Sequence, residues 1–227
     1  MNELPWKAVL FDLDGTLVET APEIADAVND TLVQLGHAPV PQSRVKGWIG
    51  HGTGELLIQA LAWSRACSAE QVRQSADLSR IRGIFNQHYR SRCGTRSRLY
   101  PDVRETLNDL RARGCRLALV TNKEAGYTDI VLRAHKLLPL FAQVIAGDSL
   151  PTKKPDPAGV LACLEKWKLR PDQALFVGDS SIDAATARNA GMAVWLLPYG
   201  YNMGQPVDAC QPDRVIASVK VLLGPDR

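Results

Sequence analysis

Five short apolar runs recur along the chain: Ala8-Val9-Leu10-Phe11, Leu117-Ala118-Leu119-Val120, Val144-Ile145-Ala146, Leu175-Phe176-Val177 and Ala193-Val194-Trp195-Leu196. Runs that stay apolar at every position predict strands covered on both faces, as in a parallel sheet. From the second run onward, helical stretches separate them. Pro101 and Gly114 bracket a predicted helix over 102–113. Asp156-Pro157 opens another that runs to about Leu169, and Ser181 to Asn189 forms a third, stopped at Gly191. Strand and helix in repeated alternation predict an α/β fold with a doubly wound, Rossmann-like parallel sheet.

The interval 19–94 breaks that rhythm and holds no convincing strand. Ile24, Val28, Leu32 and Leu35 fall at helical spacing, with Gly36 as the stop. Thr53 is placed to cap a short helix through Leu61. Ser68-x-x-Gln71 reads as a capping box before one long helix carrying Val72, Leu78, Ile81, Phe85 and Tyr89. The expected organisation is an α/β core made of 1–18 and 95–227, with an all-helical cap domain, 19–94, inserted after the first strand.

Composition narrows the function classes. The chain has 227 residues, 45% hydrophobic and 22% charged, which is globular composition. Lys+Arg minus Asp+Glu is 27 − 24 = +3, too small for a nucleic-acid footprint. The longest apolar run, Met192 to Leu197, is far short of the ~18 residues of a membrane span. The first residues lack a signal-peptide plan. The five cysteines form no C-x-x-C and the four histidines no H-x-x-x-H, so free thiols in a reducing compartment are expected rather than disulfides or zinc. The expectation is a cytoplasmic protein with no nucleic-acid or membrane partner. Monomer and homodimer are both left open.

In an open parallel sheet, ligands bind beyond the carboxyl ends of the strands. After the first predicted strand comes Asp12-Leu13-Asp14-Gly15-Thr16, and after the second Thr121-Asn122. Lys153-Lys154-Pro155 follows the third and Gly178-Asp179-Ser180-x-x-Asp183 the fourth. Converging carboxylates cannot all stay ionised without a cation. Oxygen ligands without imidazole or thiolate suit Mg²⁺. A lysine and a hydroxyl beside such a cation suit phosphate, so the inventory points to phosphoryl transfer and a small phosphorylated substrate. Asp12 and Asp14 stand two apart and can face one site while Leu13 turns into the core. One can attack phosphorus and the other can serve as acid and base. Spacing alone does not assign the roles.

These four segments, in this order and each after a strand, resemble the motifs of the haloacid dehalogenase-like hydrolase superfamily, and the resemblance covers essentially the whole chain. It implies Asp12 as nucleophile and metal ligand, and Asp14 as general acid and base with its backbone carbonyl on the metal. It implies Thr121, Asn122 and Lys154 at the phosphate and Asp179 as a direct Mg²⁺ ligand. Asp183 is implied behind these, holding metal-bound water or orienting Lys154. Lys153 is passed over because the family pattern sets its lysine directly before proline. Gly15 is expected to let the chain turn tightly. An acid at position 14 favours phosphate monoesters, since dehalogenase members lack it and phosphonate-cleaving members carry a small residue there.

Within the superfamily, Trp48-Ile49-Gly50-His51-Gly52, Thr152-Lys153-Lys154-Pro155-Asp156-Pro157 and Gly200-Tyr201-Asn202-Met203-Gly204 with Gln211-Pro212-Asp213 resemble stretches of bacterial phosphoglycolate phosphatases. The departure is His51, where that pattern has Asn; both can donate a hydrogen bond to a small carboxylate, but His titrates near neutral pH. The resemblance implies hydrolysis of 2-phosphoglycolate through an aspartyl-phosphate, with His51 at the substrate. Two alternatives stand beside it: a phosphosugar phosphatase or phosphomutase of the same architecture, and a signalling module that stores a phosphoryl group on Asp. Residues 73–98 carry Arg73, Arg80, Arg82, Arg90, Arg92, Arg96 and Arg98 against Asp77 alone. That run is either an attractor for an anionic substrate or a solvated helix face.

Overall fold

The structure is a computed structural model and describes residues 4–224. Six parallel strands form one sheet: β1 (Ala8–Phe11), β4 (Arg116–Val120), β5 (Gln143–Ile145), β6 (Ala174–Gly178), β7 (Ala193–Leu196) and β8 (Arg214–Val215). Their order is β5-β4-β1-β6-β7-β8. A separate two-residue ribbon pairs β2 (Val18–Glu19) with β3 (Arg98–Leu99), antiparallel. It lies where the chain leaves the sheet for the helical insertion and where it returns.

The central strands are apolar on both faces, and successive residues alternate between two cores. Val9, Phe11, Leu117, Leu119, Leu175 and Val177 enter one. Leu10, Ala118, Val120, Phe176 and Val194 enter the other, against α8 (Ala158–Trp167) and α9 (Ser181–Asn189). The first face is covered by α6 (Val103–Ala112) and α7 (Ala125–Ala134). Its core continues without interruption into the insertion through Ile24, Val28, Leu57, Leu61 and Phe85.

The insertion comprises α1 (Ala21–Gln34), α2 (Gln42–Lys46), α3 (Thr53–Ser64), α4 (Ala69–Arg73) and α5 (Leu78–Arg92). Two local expectations need correction. The Ser68/Gln71 capping box forms, but its helix ends at Arg73, and α5 starts anew after a turn. Asp77 in that turn pairs with Arg65 at 2.8 Å, so the break is tied down by an ion pair. Thr53 does not cap α3. Its hydroxyl donates instead to Glu124 Oε1 at 2.8 Å, across to the sheet side. The arginine run is largely balanced by acids: Arg73 by Glu55, Arg92 by Asp30, Arg96 by Asp26 and Arg80 by Asp77. These pairs favour the solvated-face reading over substrate attraction. No helix among the described residues is long and apolar enough to cross a membrane.

The start of α1 is held from a distant part of the chain. The Tyr201 hydroxyl accepts the Thr20 and Ala21 backbone N–H groups at 2.8 and 2.9 Å, all three residues being buried. It thereby satisfies donors that a helix start leaves without intrahelical partners. Tyr201→Phe is expected to strand both donors and cost roughly 2–6 kcal/mol of stability, at about 1–3 kcal/mol per buried unsatisfied group. Urea denaturation measures this, and an unchanged midpoint would show that the hydroxyl is dispensable.

Candidate active site

The sequence-predicted site residues gather at the carboxyl ends of the strands, with Asp183 in the first turn of α9 behind them. Asp12 follows β1, Thr121 and Asn122 follow β4, and Asp179 follows β6. β1 lies between β4 and β6, so the three strand ends meet at one edge. Leu13 is fully buried, as alternation requires of the residue between two site carboxylates. Lys154 reaches the edge from the loop after β5. Its Nζ donates to Asp12 Oδ1 and Asp183 Oδ1, both at 2.7 Å, and sits 5.4 Å from the Phe176 ring centre.

Asp183 is engaged through both oxygens. Oδ1 takes Lys154, while Oδ2 accepts the Asp179 N–H, the Ser180 N–H and the Ser180 hydroxyl. It therefore closes the capping box of α9 and orients Lys154 with the same carboxylate. Asp179 accepts from the Thr16 hydroxyl at 2.9 Å and from the Tyr201 N–H at 2.7 Å. Its walls have no room for a side chain: a Cβ on Gly200 or on Gly15 would collide with the Asp179 carboxylate. Gly15 also sits at φ +90°, a conformation that only glycine adopts freely, which meets the expectation of a tight turn there. The segment around Tyr201 thus has a physical job. It braces Asp179 with a backbone N–H, braces α1 with a hydroxyl, and through Asn202 Oδ1 accepts the Ser181 N–H at 2.8 Å.

Asp14 faces a different set of partners. Its Oδ1 accepts from Thr20 Oγ1 at 2.6 Å, and Lys123 Nζ donates to Oδ1 and Oδ2 at 2.7 and 3.0 Å. Lys123 was not among the expected site residues. It directly follows Thr121-Asn122, and a lysine there reads as solvated. Here its side chain is 1% exposed and lies 5.2 Å from the Tyr89 ring centre. Burial works against its charge, but Asp14 more than compensates and raises its pKa.

Burial pushes the Asp12 carboxyl up to about 6, with the Asp183 and Asp14 charges adding to it and Lys154 opposing it. Asp179 is likewise held well above the carboxylate range by burial, then by Asp183 and Asp12. Burial opposes the Lys154 charge too, yet Asp12 and Asp183 lift its pKa above the ordinary lysine value. Oxygens of Asp12, Asp179 and Asp183 lie within 4.8 Å of one another. Three carboxylates against one ammonium leave a formal −2 in a buried setting. A hard divalent cation fits that charge and that all-oxygen donor set. Asp183 already accepts four bonds, against two for Asp179 and one from Lys154 for Asp12, so Asp12 and Asp179 have more lone pairs to offer it.

A cavity with about 390 Å³ of empty space opens between these groups and the insertion. Asp12, Asp14, Thr121, Asn122 and Lys123 line one side, and Ile24, Ile49, Gly50 and Leu56 are among those lining the other. The His51 side chain is exposed and is not brought to the cavity; its backbone carbonyl accepts from Lys153 Nζ at 2.5 Å. Asn122 serves a structural contact as well: Nδ2 donates to Gly50 O at 3.0 Å and Lys154 O at 2.9 Å. With Thr53–Glu124, these bonds hold the 50–53 loop against the sheet edge.

The family model described as haloacid dehalogenase-like hydrolase matches residues 9–197. A phosphoglycolate phosphatase of Nitrosospira multiformis is 43% identical over 95% of this chain and 93% of its own length. One from Vibrio parahaemolyticus is 37% identical over 98% and 97%. A crystal structure of a predicted phosphoglycolate phosphatase from Haemophilus somnus 129pt superposes with a TM-score of 0.90 at 36% identity, covering 98% of both chains.

The buried carboxylates make a prediction with a definite sign. A carboxyl raised from 3.8 to about 6 in the fold burdens the folded state by roughly 3 kcal/mol above that pH, and by nothing below its unfolded value. A divalent cation on Asp12 and Asp179 relieves that burden. Adding millimolar divalent cation is therefore expected to raise the melting temperature by several degrees at pH 7.5 and by much less at pH 5. An equal shift at both pH values would place the cation elsewhere.

Proposed function

This chain belongs to the haloacid dehalogenase-like hydrolase family, and from that premise we propose that it is a Mg²⁺-dependent phosphatase of small phosphomonoesters, with 2-phosphoglycolate as substrate. The observation that carries the reading is the buried Asp12–Lys154–Asp183 chain beside Asp179, at a cavity between the sheet edge and the insertion.

In this reading Asp12 attacks phosphorus and forms an aspartyl-phosphate. Lys154, fixed by Asp183, stays charged and binds phosphate oxygens as negative charge builds. Thr121, buried at the end of β4, offers its hydroxyl to a further oxygen. Asp14 gives a proton to the leaving alkoxide, then takes one from the water that hydrolyses the intermediate. Thr20 and Lys123 hold its carboxylate in place. Mg²⁺, when bound by Asp12, Asp179 and the Asp14 carbonyl, supplies charge neutralisation and aligns the phosphate. The helical insertion, 19–94, acts as a cap that excludes bulk water, with Asn122, Glu124 and Lys153 clasping its 50–53 loop.

The substrate assignment rests on full-length similarity to relatives named phosphoglycolate phosphatase. The cavity supports it over a phosphomutase: Lys123 is the one lysine or arginine among the residues lining it, too little for a second phosphate group. Asp14, placed to hydrolyse the intermediate, speaks against a module that stores a phosphoryl group.

Free-phosphate release from a panel of small esters tests the proposal. 2-Phosphoglycolate is expected to give the highest kcat/KM, and a chelator is expected to abolish release until Mg²⁺ is restored. Asp12→Asn is expected to lower kcat more than 10³-fold, because an amide cannot take the phosphoryl group. The same change is expected to leave the metal-free melting temperature unchanged or raised, since it removes a charge that the fold disfavours. Substantial turnover by Asp12→Asn would dismiss it as the nucleophile.

A further inference from the structure

The Lys123–Asp14 pair is not needed for the charge balance at the metal cluster, which closes without it. It stands apart from the cluster, on the sheet side of the cavity and across from the insertion. The insertion side offers no formal positive charge: Ile24, Ile49 and Leu56 are apolar, Gly50 and Gly52 contribute backbone, and the Thr53 hydroxyl is given to Glu124. A leaving group that carries a carboxylate must nevertheless be buried in the cavity. An unpaired carboxylate in such a setting costs several kcal/mol, so a cation has to meet it. Lys154 is committed to Asp12 and Asp183 beneath the phosphate. Arg73, Arg92 and Arg96 are engaged with acids of the insertion. Lys123 is the one lysine or arginine among the described residues that line the cavity.

We propose that Lys123 is the specificity-determining residue for the leaving group, its buried ammonium pairing with the substrate carboxylate across the cavity from the apolar residues of the insertion. The inference rests on the reading of 2-phosphoglycolate as substrate. An ammonium has three N–H donors, and the two contacts to Asp14 leave one available. Asp14 keeps its 2.6 Å bond from Thr20 if the ammonium turns partly toward the substrate. The Tyr89 ring face, 5.2 Å away, supports the cation without competing as a carboxylate would. A neutral leaving group gains nothing from this ammonium, so discrimination follows from charge rather than size.

The test compares 2-phosphoglycolate with its neutral isostere, carbamoylmethyl phosphate, in wild type, Lys123→Met and Lys123→Arg. The readout is the ratio of the two kcat/KM values. Any disturbance of Asp14 enters both substrates and cancels in that ratio. The ratio is expected to favour the acid in wild type and to fall roughly 10–100-fold in Lys123→Met, the range of a hydrogen bond to a charged group. Lys123→Arg is expected to restore part of it. Should Lys123→Met not fold, Lys123→Gln, which retains a donor to Asp14, carries the same expected loss. An unchanged ratio with both substrates slowed alike would reduce Lys123 to holding Asp14 and overturn the proposal. A wild type that does not hydrolyse 2-phosphoglycolate would instead overturn the substrate reading.

Discussion

Buried like charge at the carboxyl edge of the sheet is the constraint that the rest of this structure serves. Asp12, Asp179 and Asp183 are packed within one cluster, out of water, with a single ammonium among them. A fold selected for stability alone would not keep that arrangement. It persists because the surroundings over-determine each carboxylate. Thr16 and the Tyr201 N–H hold Asp179, and the start of α9 holds Asp183. The glycines at 15 and 200 leave room for nothing else. The protein is thus preorganised for charge that arrives with ligand, which is the electrostatic condition for phosphoryl transfer.

A second layer of organisation couples the helical insertion to that edge. The core between sheet and insertion is continuous, so the two are not joined by the ribbon alone. The 50–53 loop is pinned by polar bonds from Asn122, Glu124 and Lys153. Those three side chains come from segments that also carry Thr121, Lys123 and Lys154. A shift in the loop is therefore felt next to the residues to which the proposal assigns the phosphate, a physical route by which closure would be linked to catalysis.

The five long strands and the motif carboxylates were legible in the sequence because each is a local signal. Apolar runs mark buried strands, and polar residues directly after them mark the strand ends. The features that escaped depend on partners far away in the chain. The strands Val18–Glu19, Arg98–Leu99 and Arg214–Val215 are two residues long and exist only through pairing. Tyr201 caps a helix 180 residues upstream. The arginines of α5 and the turn after it looked unbalanced because Asp26 and Asp30, which pair with Arg96 and Arg92, lie on α1. Lys123 was missed for a different reason: charge suggests solvent, and only the partly buried Asp14 beside it reverses that expectation. For His51, similarity to a motif implied a side chain at the substrate, and what the fold adds is a backbone carbonyl that accepts from Lys153 in an exposed loop.

The central claim is that Asp12 and Asp179 share one divalent cation. A crystal grown with Mn²⁺ and a phosphate mimic, measured at the manganese absorption edge, addresses it directly. The account predicts one strong anomalous peak within bonding distance of a carboxylate oxygen from each residue, with Asp183 still on Lys154. A peak bound away from this pair, or none at saturating Mn²⁺, would contradict it.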